Sequence, residues 1–404
     1  MEVFWRMKKT IIYAGFTALV IAGVVFGVSV LFAPASSESL EAAEPRARDA
    51  VSEAIVARAS LLDASPEVPF GSDDEINILT LGIDSRKEGE GQHCDAIHMV
   101  TINLADHSVK ITSVPRGTYS YIPPGNYPET EYYIANACAY AGLDYGISQI
   151  EKIVGVRADY VATIGFSEAL GMFRTLELPT TETLQWLRHR QTYQIGDPQR
   201  SQNQAVFMKD IALRITSDGG LSTPLLYLLY SFVDTDMDFA TAKALYSLLV
   251  ASDIAGHPER ITYDMKPYHE TVVLHYDPDN ASEQVGSLVD RLKGRLSDED
   301  LSLRTVEEIQ ADLEAYLRDS LTDDEAVMHV MDEQLFRQVE DDAFREEMHF
   351  RYLDRYVRIL RETDADAAVA IVSDYILEKQ YYGLTDWVEK GKNLLSTLVE
   401  EDTL

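Results

Sequence analysis

Residues 76–82, INILTLG, form an apolar run that ends in glycine, and this run decides the fold. A short apolar run closed by a turn-forming residue is typical of a strand buried within a sheet. Two β-branched stretches follow, at residues 96–104 and 109–114, on either side of Ala105-Asp106-His107-Ser108. Because turn formers separate two extended segments, the sequence predicts a hairpin next to the first strand.

Helical patterns alternate with a further strand after the hairpin. The predicted helices cover residues 132–140, 148–154, 167–176 and 201–216, and the predicted strand covers residues 160–165. In the last helix Val206, Ile211, Leu213 and Ile215 supply an apolar side. Strands that alternate with helices predict an α/β layered fold.

The stretch Asp234-Thr235-Asp236-Met237-Asp238 has two interpretations. Alternating aspartates are found in calcium loops, but the glycine and the distal glutamate of such a loop are absent here. An aspartate directly before the apolar segment 239–250 is also a good helix cap. We favour the cap.

Composition excludes some classes of protein. The chain has 404 residues, of which 46% are hydrophobic, so it can bury at least one sizeable core. Its formal net charge of -32 argues against nucleic acid as a partner, since nucleic-acid binding requires a basic face. Cys94 and Cys138 are the two cysteines. They can form one bridge in an oxidising compartment, but we predict two free buried thiols.

An apolar segment near the start predicts a membrane anchor. Residues 11–32 contain no charged side chain and are long enough to span a bilayer. Arg6, Lys8 and Lys9 precede the segment, which predicts a cytoplasmic N-terminus (residues 1–10) and an extracytoplasmic main domain. Ala33-Pro34-Ala35 resembles a cleavage site, so a removable signal peptide is the alternative. Residues 33–73 are rich in alanine, serine, proline and glutamate and are predicted to be a linker.

The composition changes near Ser297. Residues 297–404 hold 29 acidic and 11 basic residues, which accounts for more than half of the net charge. Phe350, Leu353, Val357 and Leu360 recur at helical spacing, so a solvated helical bundle is predicted rather than disorder. The role of this region (296–404) stays open, with docking of a protein partner as one alternative.

Arginines and aspartates cluster in two blocks of this acidic chain. The first block holds Asp84, Arg86, Asp95 and Arg116. The second holds Arg188, Arg190, Asp197 and Arg200. Arginine grips phosphate with a planar fork, and paired aspartates are hard oxygen ligands for a magnesium-type ion. Together the two blocks predict a site for a pyrophosphate and its metal.

The ordered motifs resemble the LytR-CpsA-Psr domain, a family of bacterial cell-envelope phosphotransferases. The resemblance runs from Asn77-Ile78-Leu79 through Asp84-Ser85-Arg86, His93-Cys94-Asp95 and Pro115-Arg116-Gly117-Thr118 to the second block with Gln204. It implies a domain over residues 74–295, built as a three-layer α/β sandwich with a central mixed sheet that encloses an apolar lipid tunnel. It also implies transfer of a glycopolymer from a polyprenyl-pyrophosphate carrier at the cell membrane to peptidoglycan, in cell-wall biogenesis.

Roles for individual residues follow from the resemblance. Asp84 and Asp95 are the expected ligands of Mg²⁺ or Mn²⁺. The expected catalytic set is Arg116, Arg188, Arg190, Asp197 and Arg200. The expected substrate-binding residues are Arg86, His93 and Gln204. Taken singly, each has an ordinary structural explanation, such as a turn, a cap or a surface ion pair. Their joint occurrence in family order favours a functional site.

Three positions depart from the family pattern. His93 and Asn203 stand where the family usually has arginine, and Gly117 stands where it usually has aspartate. A histidine lacks the arginine fork and is fully charged only below its pKa. The departures leave two alternatives open: a scaffold or regulator that binds the lipid pyrophosphate without turnover, and a pyrophosphatase with water as acceptor.

Overall fold

A computed structural model describes residues 53–57, 74–84, 93–123, 131–188, 196–285 and 306–401, with the backbone alone at Asp84, Arg188, Val306 and Glu401. The chain divides into two compact units between His349 and Phe350. We call the described residues 74–349 the sheet unit, and the described residues from 350 onward, with the helical residues 53–57, the C-terminal unit. The predicted domain boundaries at 73/74 and 295/296 fall at the edges of the described residues or outside them.

The sheet unit is built on one mixed sheet of six strands. The strands are β1 (Glu75–Asp84), β2 (His93–Asn103), β3 (Ser108–Ser113), β4 (Tyr160–Ile164), β5 (Asp234–Thr235) and β6 (Ile261–Met265). Their spatial order is β5-β4-β1-β2-β3-β6, so β1 lies inside the sheet, as its apolar sequence predicts. β1 pairs with β4 in parallel and β3 with β6 in parallel, whereas β2 runs antiparallel to both of its neighbours.

The predicted hairpin is confirmed. β2 and β3 pair from His98–Ser113 to Asn103–Ser108. The Asn103 side chain accepts hydrogen bonds from the backbone of Ala105 and Asp106, and His107 has a φ of 56°. A side-chain amide that closes its own turn is a common way to make a tight connection.

Helices cover both faces of the sheet. The helices of this unit are α1 (Ile134–Ala141), α2 (Leu143–Val154), α3 (Phe166–Thr175), α4 (Thr180–Arg188), α5 (Gly196–Thr216), α6 (Thr223–Tyr230), α7 (Phe239–Ala251), α8 (Val306–Asp319) and α9 (Asp324–Asp332). Leu79 and Leu81 pack with α1 and α2 on one face. Ile76 and Ile102 pack with α5 and α7 on the other face. The α/β prediction with a mixed sheet is therefore confirmed, while the lipid tunnel stays a prediction.

The aspartate before α7 is a helix cap. The Asp238 side chain accepts a hydrogen bond from the backbone of Thr241 at 2.7 Å. This bond satisfies one of the donors that the first turn of a helix leaves open. The capping interpretation of residues 234–238 is confirmed.

The region after residue 306 is helical, as its spacing predicts. It continues with α10 (Asp342–Arg361), α11 (Ala365–Tyr381) and α12 (Thr385–Glu401). Within the C-terminal unit α11 and α12 pack together, and Val372, Ile376 and Leu395 are fully buried. Among the described residues no helix has the length and apolar character needed to cross a bilayer, and the predicted anchor at residues 11–32 lies outside them.

Candidate functional site

One edge of the sheet collects the ends of several strands. Because β1, β3 and β6 run together and β2 runs against them, their carboxyl ends meet the amino end of β2. Asp84, the last residue of β1, pairs with His93, the first residue of β2. Arg116 follows β3 by three residues and therefore lies at the same edge. Ligands of α/β proteins commonly bind outside the carboxyl ends of strands.

A β-bulge sets the direction of Asp95. Gly82 pairs with Ala96 and Ile83 pairs with Cys94, so Asp95 is an extra residue on β2. The bulge lets Cys94 and Ile97 face the same core, three residues apart, with α1 and α2. A bulge re-aims the side chain that it inserts. The Asp95 carboxylate reaches residues on the loop after β3 and on α5, which is where the candidate site forms.

Four charged side chains meet in what we call the charged cluster: Asp95, Arg116, Asp197 and Arg200. The Asp95 carboxylate pairs with Nη1 of Arg116, and its Oδ2 lies 3.5 Å from Nη2 of Arg200. Arg200 also donates to the backbone carbonyl of Asp95 at 3.0 Å. Nε of Arg116 lies 3.7 Å from Oδ1 of Asp197. The side chain of Arg200 is 8% exposed, whereas those of Arg116 and Asp197 are 26% and 28% exposed. The cluster is therefore partly open to solvent.

A short turn presents Arg116. Thr118 donates its backbone N–H to the carbonyl of Pro115 at 2.9 Å, and Ala135 donates to the carbonyl of Arg116 at 3.1 Å. The next residue, Gly117, is one of the departures from the family pattern. A Cβ at Gly117 would lie 3.0 Å from Oδ2 of Asp197, so a larger acidic residue there would crowd a carboxylate of like charge.

The first turns of α5 carry the other half of the charged cluster. Asp197 lies in the first turn, where the helix macrodipole favours negative charge. Gln199 anchors this end, because it donates to the carbonyl of Val272 at 2.7 Å and accepts from its N–H at 2.9 Å. Gln199 also donates to Asn203 at 2.8 Å, and both are buried. The Asn203 departure thus fits a packed polar contact within the helix.

His98 is a buried residue of β2 that interacts electrostatically with Arg200 of the charged cluster. It is 2% exposed, and its two ring nitrogens contact Ser113 at 3.0 Å and Gln204 at 3.3 Å. Burial lowers the pKa of His98 to about 4, so the ring is neutral at pH 7. Gln204 in turn donates to the carbonyl of Leu187 at 3.3 Å. These contacts tie β2, β3 and α5 to the end of α4, whose last residue is Arg188.

Cys94 and Cys138 form a disulfide, so the prediction of two free thiols is wrong. Their Cα atoms are 5.9 Å apart, and both residues are buried. The bulge turns Cys94 toward α1, where Cys138 lies in the middle of the helix. Sequence alone gave no signal of this approach, because it depends on one inserted residue and on the packing of α1. The bridge fixes the residue next to Asp95.

The other predicted site residues lie in different places. Gln204 contacts His98 and Leu187, and His93 packs edge-on against Tyr140 with ring centres 6.0 Å apart. Asp84 and Arg188 are described by their backbone only, while Arg86 and Arg190 lie outside the described residues. Where the structure describes side chains, no three His, Cys, Asp or Glu residues gather as metal ligands would. The pair formed by Asp84 and Asp95 stays a prediction.

Fold and site together define a class: an α/β domain with buried and half-buried guanidinium groups at the ligand-binding edge of its sheet, which suits a phosphorylated ligand. Residues 30–171 match the LytR_cpsA_psr family model. This match confirms, over these residues, the resemblance to the LytR-CpsA-Psr family that the motifs indicate. The match includes Asp95 and Arg116 but ends before Asp197 and Arg200.

Two relatives match parts of the chain. The polyisoprenyl-teichoic acid–peptidoglycan teichoic acid transferase TagU of Bacillus cereus is 27% identical over 164 residues, which are 40% of this chain and 49% of TagU. The corresponding transferase TagT of Bacillus subtilis is 34% identical over 98 residues, which are 23% of this chain and 29% of TagT. The chain thus spans about half the length of TagU, and less of TagT.

A solved structure with similarity to this chain is that of B. subtilis TagV. It is 16% identical and has a TM-score of 0.41, over 55% of this chain and 99% of TagV.

Proposed function

We propose that the chain is a membrane-anchored, extracytoplasmic phosphotransferase that moves a glycopolymer from a polyprenyl-pyrophosphate carrier to a hydroxyl group of peptidoglycan. The observation that carries the proposal is the charged cluster, in which Arg116 and Arg200 converge on Asp95 at the edge of the sheet. The family match and the names of the two relatives support the reaction class. The anchor at residues 11–32 and the cytoplasmic N-terminus belong to the proposal.

The chemistry follows from the guanidinium groups. Transfer of a phosphoryl group depends on positioning and on neutralising charge as the bond to the leaving group breaks. Asp95 and Asp197 hold Arg116 through Nη1 and Nε, which fixes the plane of its fork. A held fork loses little freedom when it binds phosphate oxygens. Arg200, fixed on α5, would bind the same pyrophosphate from the helix side.

The donor set fits a hard divalent cation. Asp84 and Asp95 lie on adjacent strands at one edge, and two carboxylates with phosphate oxygens and water are a common environment for Mg²⁺. When bound, Mg²⁺ or Mn²⁺ would neutralise charge on the pyrophosphate. Asp95 also pairs with Arg116 and Arg200, so the carboxylate would orient both cations about the same phosphates.

A cluster of aromatic and aliphatic side chains lies farther along α5. Phe207 is seven residues beyond Arg200, which is two turns along the helix, or roughly 10 Å. It packs with Phe173, Trp186 and Tyr276. We propose that the polyprenyl chain approaches the site from this apolar side.

One observation favours a second candidate, a module that binds the lipid pyrophosphate without turnover. His93 packs against Tyr140, at the position where the family usually supplies an arginine. An imidazole lacks the planar fork of a guanidinium and would stabilise developing phosphate charge less. The charged cluster would then retain affinity for the pyrophosphate but would accelerate phosphoryl transfer only slightly.

The test is release of polyprenyl monophosphate by the full-length protein from a polyprenyl-pyrophosphate-linked glycan. We expect turnover that requires Mg²⁺ and falls by about a hundredfold in Arg116→Ala, by analogy with loss of a preorganised charge-stabilising donor. The control is Lys110→Ala, which removes an exposed cation paired with Asp264 outside the cluster. We expect this variant to keep full turnover.

The outcomes separate the candidates. Tight binding of the lipid by the parent with no monophosphate supports the binding module and overturns the transferase. Monophosphate formed equally with and without a sugar acceptor, and no glycan on the acceptor, supports hydrolysis by water. Equal rates of turnover for Arg116→Ala and Lys110→Ala would show that the charged cluster has no role in the reaction.

A further inference from the structure

Tyrosine is concentrated in one segment that begins beside the charged cluster. Residues 117–151 hold seven of the 22 tyrosines of the chain. Tyr119, Tyr121 and Tyr140 are 70%, 50% and 39% exposed, and we call these three residues the tyrosine rim. A single exposed aromatic residue is ordinary, whereas aromatic residues that are exposed together are a common feature of ligand-binding surfaces.

The rim starts close to the charged cluster. Tyr119 is three residues from Arg116, so their Cα atoms are at most about 11 Å apart. Tyr119 forms a β-bridge with Tyr133, and the next residue, Ile134, donates its N–H to the carbonyl of Thr118 at 2.8 Å. At the other end, Tyr140 packs against His93, two residues from Asp95. Both ends of the rim are therefore near the candidate site.

Neighbouring side chains hold the rim without covering it. The ring of Tyr121 meets Tyr132 edge-on, with centres 5.8 Å apart. The hydroxyl of Tyr145 donates to the backbone carbonyl of Tyr121 at 2.9 Å. The disulfide through Cys138 fixes the helix that carries Tyr140. Ordered aromatic rings that stay exposed can bind at a low cost in conformational entropy.

The charges of the segment decide which kind of ligand fits. Residues 117–151 contain four acidic residues and no lysine or arginine. Surfaces that bind anionic lipid usually carry basic residues beside their apolar side chains, so a membrane surface fits poorly. A neutral sugar tolerates acidic neighbours, because its hydroxyl groups donate hydrogen bonds and its ring face packs on an aromatic ring.

We infer that the tyrosine rim binds the acceptor glycan and directs its hydroxyl group toward the charged cluster. The claim that the bound glycan is the acceptor rests on the proposed function, whereas binding of a glycan by the tyrosine rim is independent of turnover. From Ile134 to Tyr140, α1 rises by roughly 9 Å, so the rim matches a short oligosaccharide rather than a single sugar.

The test measures binding of a soluble β-1,4-linked N-acetylglucosamine tetramer by the full-length protein. We expect the double variant Tyr119→Ala/Tyr121→Ala to weaken binding about tenfold, the loss expected for two aromatic contacts. The variant Tyr119→Phe/Tyr121→Phe keeps both ring faces and should bind within about twofold of the parent. Tyr316→Ala is the matched control, since Tyr316 is 38% exposed on α8 and distant in sequence from the rim.

Binding of the tetramer is measured separately from turnover, so that the failure of one proposal can be distinguished from the failure of the other. If Arg116→Ala stops turnover but still binds the tetramer, both proposals are supported. If neither the parent nor any variant releases monophosphate but the double alanine variant still binds the tetramer more weakly, glycan binding by the rim is supported and the transferase proposal is overturned. A parent that does not bind the tetramer, or a double alanine variant that binds as well as the parent, overturns the rim. The inference is also overturned if the double variant loses affinity for anionic phospholipid vesicles but keeps affinity for the tetramer.

Discussion

His98 shows how one residue can stabilise a candidate site without touching a ligand. It joins Ser113 on β3 to Gln204 on α5, and Gln204 extends the contact to Leu187 on α4. A buried neutral ring can serve this purpose only if it stays uncharged. Burial, with a smaller contribution from Arg200, lowers its pKa to about 4. A histidine with a depressed pKa makes the stability of the fold depend on pH.

The sign of that dependence follows from the two pKa values. Between about pH 6.5 and pH 4 the unfolded chain binds a proton at His98 that the folded chain does not, so stability falls as pH falls. From pH 7 to pH 4.5 the loss should be about 2 kcal/mol. We expect urea denaturation of His98→Met to lack this part of the pH dependence. The exposed histidine variant His275→Ala should retain it, and a His98→Met curve parallel to that of the parent would contradict the assignment.

Individual residues differ in how well sequence predicts them. Asp95, Arg116, Asp197 and Arg200 were predicted together because their order along the chain follows a family pattern, and the structure brings them together. His98 had no such signal, since a lone histidine in a strand gives no information about its partners. Gly117 was recognised as a departure, but its reason depends on the position of Asp197 in space.

At the scale of elements, the bulge in β2 and the disulfide act together. The bulge directs Asp95 toward α5 and lets Cys94 face α1, where it bonds to Cys138. α1 also packs tightly on α2. A Cβ at Gly146 would lie 2.4 Å from the sulfur of Cys138, so a residue with a side chain would not fit at this position. The strand that carries Asp95 is thus fixed from both faces of the sheet. Alternation of strands and helices predicted these elements, whereas a one-residue bulge leaves no pattern in the sequence.

Removing the bridge should therefore cost stability. The two cysteines are 44 residues apart, and a closed loop of this length is worth about 4 kcal/mol through the entropy of the unfolded chain. We expect Cys94→Ser/Cys138→Ser to unfold at a lower denaturant concentration than the oxidised parent. A reductant should bring the parent down to the level of the variant and leave the variant unchanged. Equal midpoints for the oxidised parent and the variant would show that the bridge contributes nothing.

At the scale of the whole molecule, the composition change at Ser297 is a poor guide to which parts depend on each other. Within the sheet unit, α3 packs against residues 335–339. Arg174 donates to the carbonyl of Val339 at 3.0 Å, and Gln338 donates to Ser167 at 3.0 Å. Arg337 lies over the ring of Phe232 at 4.7 Å. Composition separates residues 335–339 from α3 and Phe232, because the region after Ser297 is more acidic. The packing contacts show that they belong together.

Two truncations distinguish composition from packing. A chain that ends at His349 keeps the contacts of α3, whereas a chain that ends at Leu296 loses them. The shorter chain lacks residues 335–338, which pack against α3, and it leaves Arg174 without two carbonyl acceptors. It also lacks the buried side chains of Phe336 and Val339. Loss of two buried apolar side chains and of these hydrogen bonds should lower the free energy of unfolding of the sheet unit by about 3–6 kcal/mol. We expect chemical denaturation to show this difference and hydrogen exchange to place it at α3. If both truncated chains unfold at the same denaturant concentration, the boundary drawn by composition is also the boundary of stability, and α8 and α9 add no stability to the rest of the sheet unit.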